Sequence, residues 1–266
     1  MLSARRKSDG QTVHAYFESK ANAPFYCLVC GDPVILKTGK NKINHFAHEN
    51  FACQYAEGES DTHRRCKIEI YKALLRAPNV HDVALERPLD TVRPDVSAYI
   101  NGVKVAIEVQ ISSLSVETIM RRTIDYHRKG IYVLWLLQWT PKLDAQRYAP
   151  KLWEKWIHAA YFGRVYYWTG GLDVVSYSFE PSLKSVPSQS WYSKDGEKVT
   201  RRGFTRRSKR YRAATRGQTF DLAREFVPRL RYWWEGNGLK VPDAKLFMEA
   251  YQPAEGTNHA DLHRSF

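Results

Sequence analysis

An acid stands in each arm of RPDVSAYINGVKVAIEVQ, residues 93–110, on either side of Asn101-Gly102. That dipeptide is a strong signal for a two-residue hairpin loop, whose turn needs positive φ at both positions. With it as the loop, Ile100 faces Val103, Asp95 lands opposite Glu108 and Arg93 lands opposite Gln110. Strand side chains alternate, so Asp95, Glu108 and Gln110 share one face while Val96, Ala98, Ile107 and Val109 form a core face. Two like charges held roughly 5 Å apart at Cβ destabilise a strand pair. A bound cation is the simplest compensation; a solvated face, with Lys104 or Arg93 pairing diagonally, is the other. Magnesium or manganese takes oxygen ligands from one or two carboxylates, activates water and neutralises charge on a phosphodiester. Gln110 can orient the water or a phosphate oxygen, but its amide does not ionise.

A different chemistry lies in CLVCGDPVILKTGKNKINHFAH, residues 27–48. Cys27, Cys30, His45 and His48 are spaced C-x2-C-x14-H-x2-H, a set of thiolates and imidazoles suited to tetrahedral zinc. Cys53 is a spare thiol that can replace a ligand. Four protein ligands close such a site, so its zinc is structural. A third feature is RRGFTRRSKRYRAATRG, residues 201–217, with eight Lys/Arg and no acid. Arg206, Arg207, Lys209 and Arg210 there interleave with Phe204 and Tyr211, the mixture that tracks a nucleic-acid backbone. A solvated basic loop is the alternative.

The elements that must hold these groups follow from periodicity and punctuation. Residues 59–77 read as a helix ended before Pro78. On it Glu59, His63 and Lys67 recur every four residues and form one polar stripe. A strand over 81–89 and the hairpin over 92–111 come next. SVETIMRRTIDYHRK (115–129) is a helix with Ser115 as N-cap and Gly130 as its stop. The near-continuous apolar run at 131–138 is a strand buried on both faces. The order is helix, three strands, helix, strand. A helix near 150–161 and strands near 164–168 and 172–179 extend it. Residues 181–200, rich in Ser and Pro, read as a linker. Residues 219–235 read as a helix kinked at Pro228, with Trp233 and Trp234 in the core.

The 266-residue chain carries 43% apolar residues and a formal charge of +13. Residues 181 onward hold 17 Lys/Arg and 9 Asp/Glu, a net of +8. Such an excess points to a polyanionic partner, nucleic acid first. No apolar run is long enough to cross a bilayer, and MLSARRKSDG lacks the apolar region of a signal peptide. A cytoplasmic location is therefore expected, and with it thiols or metal ligands rather than disulfides.

The wording RPDV, AIEVQIS and RRTIDYHRKGIYVLW resembles the nuclease core of the competence protein CoiA-like family, over about residues 25–140. That family resembles the PD-(D/E)xK nuclease superfamily, an α/β (α+β) class whose core runs αβββαβ. Pro94-Asp95, Glu108 and Gln110 match its motif, Gln standing where the superfamily usually has Lys and the CoiA-like family has Gln. The C-x2-C and HFAH ahead of the core match the family too. The resemblance implies that Glu59 or His63 adds a ligand or a base and that Lys67 supplies the charge Gln110 lacks. It also implies that Arg122, Thr123 and Tyr126 contact phosphate or pack on the sheet. Three regions are expected: a zinc-binding module (1–57), a nuclease-like domain (58–180) and a basic, partly helical extension (181–266). The expected activity is Mg- or Mn-dependent cleavage of DNA, whether single-stranded, duplex or branched, in uptake, recombination or phage and defence processing. Arg93, Arg122 and Tyr126 are expected to join the basic run in holding DNA. The rival is a nucleic-acid-binding module with an inactive core.

Overall fold

The fold was analysed in a computed structural model that describes residues 1–49, 53, 59–145 and 147–250. The first five strands, β1 (Ser3–Arg6), β2 (Thr12–His14), β3 (Phe25–Tyr26), β4 (Pro33–Lys37) and β5 (His45–His48), form one antiparallel sheet. It has its own small core around Phe25, Val34, Leu36 and Phe46. The boundary expected at 57/58 lies outside the described residues.

The next six elements are α1 (Asp61–Leu74), β6 (Val80–Leu85), β7 (Val96–Ile100), β8 (Val103–Gln110), α2 (Val116–Arg128) and β9 (Tyr132–Gln138). They run in the expected αβββαβ order. Asn101 and Gly102 both adopt positive φ, and Ile100 pairs with Val103 as the turn dictates. Ser115 caps α2 by accepting from Thr118 N at 3.1 Å, and Gly130 ends it at φ +70°. The crossover through α2 makes β9 parallel to β8, which is why its apolar run has no polar face.

The chain continues through α3 (Leu152–Ala160), β10 (Val165–Gly170), β11 (Asp173–Val186), β12 (Gln189–Tyr192), β13 (Lys198–Arg201) and β14 (Phe204–Asp221). It ends in β15 (Phe226–Arg231), β16 (Trp234–Gly236), β17 (Leu239–Val241) and β18 (Ala244–Glu249). The main sheet runs β14-β11-β10-β9-β8-β7-β6, with β18 joined to β9 and β15 to β18. The expected linker at 181–200 is therefore strand: β11 crosses residue 180 without a break, and β12 pairs with β13. The expected helix at 219–235 is β15 and its flanks, with Pro228 opposite Phe247 on β18. Phe226, Leu246 and Phe247 bury in the same core as β7 to β10, so this region packs onto the nuclease-like sheet. Trp234 packs against that core, whereas Trp233 is exposed. No helix among the described residues is long and apolar enough to cross a membrane.

Candidate active site and metal centre

The hairpin delivers Asp95 one residue ahead of β7, and its environment comes from α1. His63 Nε2 lies 3.1 Å from Asp95 Oδ2, which also accepts from the Val109 amide at 2.9 Å. Lys67 Nζ lies 3.5 Å from Asp95 Oδ1. The stripe of Glu59, His63 and Lys67 thus turns inward. Lys67 is fully buried and donates to both Glu59 and Glu86. Burial alone would raise the Asp95 carboxyl; the charges of His63 and Lys67 outweigh it and hold Asp95 well below the usual carboxylate range. Burial likewise opposes a charged His63, but the Asp95 carboxylate overcomes it and raises the imidazole above its ordinary value.

Glu108 sits opposite in the register and is 1% exposed, so the face expected to be half wet is covered. Helix α2 covers it, with Arg122 and the Tyr126 hydroxyl both donating to Glu108 Oε1. Burial, which Arg122 only partly offsets, pushes the Glu108 carboxyl up to about 7, and the Asp95 charge adds to the rise. Arg122 also lies over the Trp135 ring, whose Nε1 donates to Thr123 Oγ1 at 3.1 Å. Tyr126 is fully buried and donates to Glu108. Arg93 is folded inward too, 4.0 Å from Glu86. Gln110 is buried, its amide donating to the Ser112 carbonyl.

The three metal-ligating side chains that come within 4.8 Å of one another here are Glu59, His63 and Asp95. Glu108 is not in that group. Glu59 Oε2 is buried without a hydrogen-bond partner, with the N-terminal ammonium 3.8 Å and the Arg64 guanidinium 4.0 Å away. Two carboxylates and an imidazole suit magnesium less well than manganese, which accepts nitrogen more readily.

Glu86 was not anticipated as a site residue. It takes Lys67 on one oxygen and the Leu2 amide, at 2.7 Å, on the other. It therefore ties the N-terminal sheet to the floor of the site. Its sequence signal is slight: one acid between the end of β6 and Pro88.

The second cluster is Cys27, Cys30, His48 and Cys53, with ligand atoms within 4.8 Å of one another. Cys53 thus stands where His45 was expected. Residues three apart on a strand face opposite sides, so β5 can turn only one of its two histidines to the cysteines. His48 Nε2 is 3.3 Å from Cys30 Sγ, whereas His45 Nδ1 lies 2.8 Å from the Ile43 carbonyl. Gly31, at φ +77°, makes the tight turn that lets both cysteines face inward. Three thiols and one imidazole in this arrangement fit zinc. Elemental analysis of protein purified without added zinc should find about one zinc per chain. Cys53→Ser should lose it on mild chelation and His45→Ala should keep it; the reverse order would return His45 to the site.

Two family models match the chain: competence protein CoiA, N-terminal domain, over residues 9–56, and competence protein CoiA, nuclease-like domain, over residues 59–154. Among curated proteins, competence protein CoiA of Bacillus subtilis (strain 168) is 32% identical over 117 residues. That match spans 42% of this chain and 31% of that protein. No solved structure matches.

Proposed function

The chain belongs to the competence protein CoiA family, and from that premise we propose that it is a Mg- or Mn-dependent deoxyribonuclease with a PD-(D/E)xK-type core. The observation that carries this reading is Asp95, an anion half-buried beside Glu59 and His63 and kept ionised by His63 and Lys67. Asp95 and Glu108 would hold the ion, with Glu59 and His63 within reach of the same Asp95 carboxylate. Such an ion supplies an activated water and neutralises the phosphodiester as charge develops. His63 orients the Asp95 carboxylate through its hydrogen bond. Lys67 is the cation that the motif otherwise carries at position 110. Gln110, fixed on Ser112, shapes the loop beside them. In this reading the enzyme processes DNA in uptake or recombination, or in a phage or defence setting.

Purified protein with magnesium or manganese on labelled linear, single-stranded and branched DNA is the test. Metal-dependent products support the reading. Binding without cleavage under all conditions would favour a nucleic-acid-binding module with an inactive core.

The basic strand supplies affinity rather than chemistry. Arg206, Arg207, Lys209 and Arg210 are exposed on β14, and Lys184 stands directly opposite Arg206. Like charges so placed repel unless phosphates offset them. Neutralising all four should flatten the dependence of affinity on salt by about three to four counterions. An unchanged slope would mean that the strand does not meet DNA.

A further inference from the structure

The pairing of β11 with β14 contains a large irregularity. Pro181 pairs with Arg212 and Leu183 with Arg207, so Ser208, Lys209, Arg210 and Tyr211 stand opposite Ser182 alone. Bulges re-aim side chains and are built features of a sheet. This one is held from within. Ser208 Oγ accepts from the Tyr211 amide at 2.9 Å, and the Arg212 guanidinium donates to the Ser208 and Tyr211 carbonyls at 3.0 Å each.

A cavity opens on each side of the bulge. One, of about 610 Å³, lies between the bulge, α3 and the β16–β17 hairpin. Its cations are Lys155, Arg207, Lys209 and Arg212, and its apolar walls include Phe179, Trp234 and Leu239. The other, of about 430 Å³, is lined by Arg147, Lys184, Arg206 and Arg210 and shares Arg207 and Lys209 with the first. Neither is lined by an acid. Among the described residues, Lys155, Arg206, Arg207, Lys209 and Arg210 form no ion pair. Ligand pockets of about 300–1,000 Å³ are mostly apolar with a few placed polar groups. The first cavity fits that description, except that its polar groups are cations.

The cavity joins cations to aromatic and apolar side chains, which match the two ends of a nucleotide. We propose that the two cavities form one binding site for an unstacked nucleotide of a nucleic-acid strand, its base against the wall made by Trp234 and Leu239 and its phosphates across Arg207 and Lys209. Base stacking on aromatic walls beside a cationic groove is how single strands are held without sequence preference. A base paired in duplex cannot enter such a cavity without leaving its stack.

A backbone segment links this site to the loop beside the candidate active site. The Tyr148 backbone exchanges hydrogen bonds with Arg212 at the bulge, at 2.9 and 2.7 Å. Three residues on, Lys151 Nζ donates to Ser113 Oγ at 2.8 Å, next to the Ser112 that holds Gln110. Segment 147–151 therefore runs from the bulge to the loop that follows Glu108. A strand engaged at the bulge can follow it towards the hairpin. The inference rests on the reading that the chain acts on nucleic acid.

The test measures affinity, so it is independent of cleavage. The full chain carrying Asp95→Ala is titrated against a short fluorescent thymidine oligonucleotide and against a blunt duplex of equal length. Lys155→Gln with Arg207→Gln should weaken single-strand binding by about tenfold and change duplex binding less. Lys198→Gln with Arg201→Gln removes the same charge from β13, outside both cavities, and should have the smaller effect. Equal losses from the two double variants, or equal losses for single strand and duplex, would overturn the site. Thymidine monophosphate added as a competitor identifies the source of the nucleotide. Displacement supports a cavity that also takes free nucleotides; no displacement, with the strand-selective loss retained, supports a site for strands alone. A wild-type chain that cleaves nothing yet shows this selectivity would sink the nuclease reading and leave the cavity site standing.

Discussion

Asp95→Ala should lower metal-dependent DNA cleavage by about a thousandfold or more, equivalent to roughly 4 kcal/mol of transition-state stabilisation. DNA affinity should change little, because the exposed cations proposed to hold DNA are on β14. Asp95 is where α1, the hairpin and the β8 backbone converge, through His63, Lys67 and the Val109 amide. It is an anion at neutral pH, so it is ready for a cation. Asp95→Asn keeps the shape and removes only the charge, and it should lose nearly as much. A thermal melt of each variant separates lost chemistry from lost folding. Full cleavage by either one would end the assignment of Asp95 to the chemistry.

Glu108 adds a pH signature to the same experiment. Its carboxyl is pushed up to about 7 by burial, so without metal it is partly protonated at neutral pH. A ligand must be ionised, so cleavage should fall as pH drops below about 7. Proton and cation compete for one carboxylate. More magnesium should therefore move this acid limb to lower pH. A limb that ignores metal concentration would mean that Glu108 serves only to hold Arg122 and Tyr126.

The hairpin was legible because two independent signals agreed: Asn-Gly fixed the loop, and the period of two fixed every pair beyond it. The helix caps and the buried β9 were legible for the same local reasons. The zinc ligands were legible only in part. Spacing counts residues, but a strand alternates, so His45 and His48 could not both serve and Cys53 took the place. Glu86 was not legible at all, because its partners, Lys67 and the Leu2 amide, are brought to it by tertiary folding. The C-terminal third misled for two reasons. Phe220, Ala223, Phe226, Val227 and Leu230 fall at helical spacing, yet the chain turns over 222–225, and Pro228 and the non-local pairing with β18 make Phe226–Arg231 a strand. The basic run has little apolar periodicity, and only its partner β11 defines it as a strand.

Lys67→Met should cost about 3–5 kcal/mol of folding stability, the usual result of removing one partner from a buried ionic cluster. Lys67 is fully buried, and three carboxylates, those of Glu59, Glu86 and Asp95, lie around its Nζ. Methionine fills similar space, so the loss is one of charge rather than packing. In a chain of this size the melting temperature should fall by roughly 10 °C. Acid gives the diagnostic. Burial alone would raise the Glu86 carboxyl, but Lys67 and then Arg93 hold it well below its ordinary 4.5. A group depressed in the folded state stabilises above its unfolded value and loses that contribution as pH falls through the folded one. Wild type should therefore lose stability below about pH 4.5. In Lys67→Met the largest opposing charge is gone, and the Glu86 carboxyl rises from that depressed value although Arg93 and the N-terminal ammonium still lower it. The variant therefore has less of this contribution to lose, and its stability should fall less steeply than that of wild type as pH drops below about 4.5. Urea melts of both proteins across that range would show the gap in stability narrowing as pH falls. A gap that stays constant would mean that the carboxylates around position 67 find other partners, and that Lys67 is not what keeps Glu86 charged.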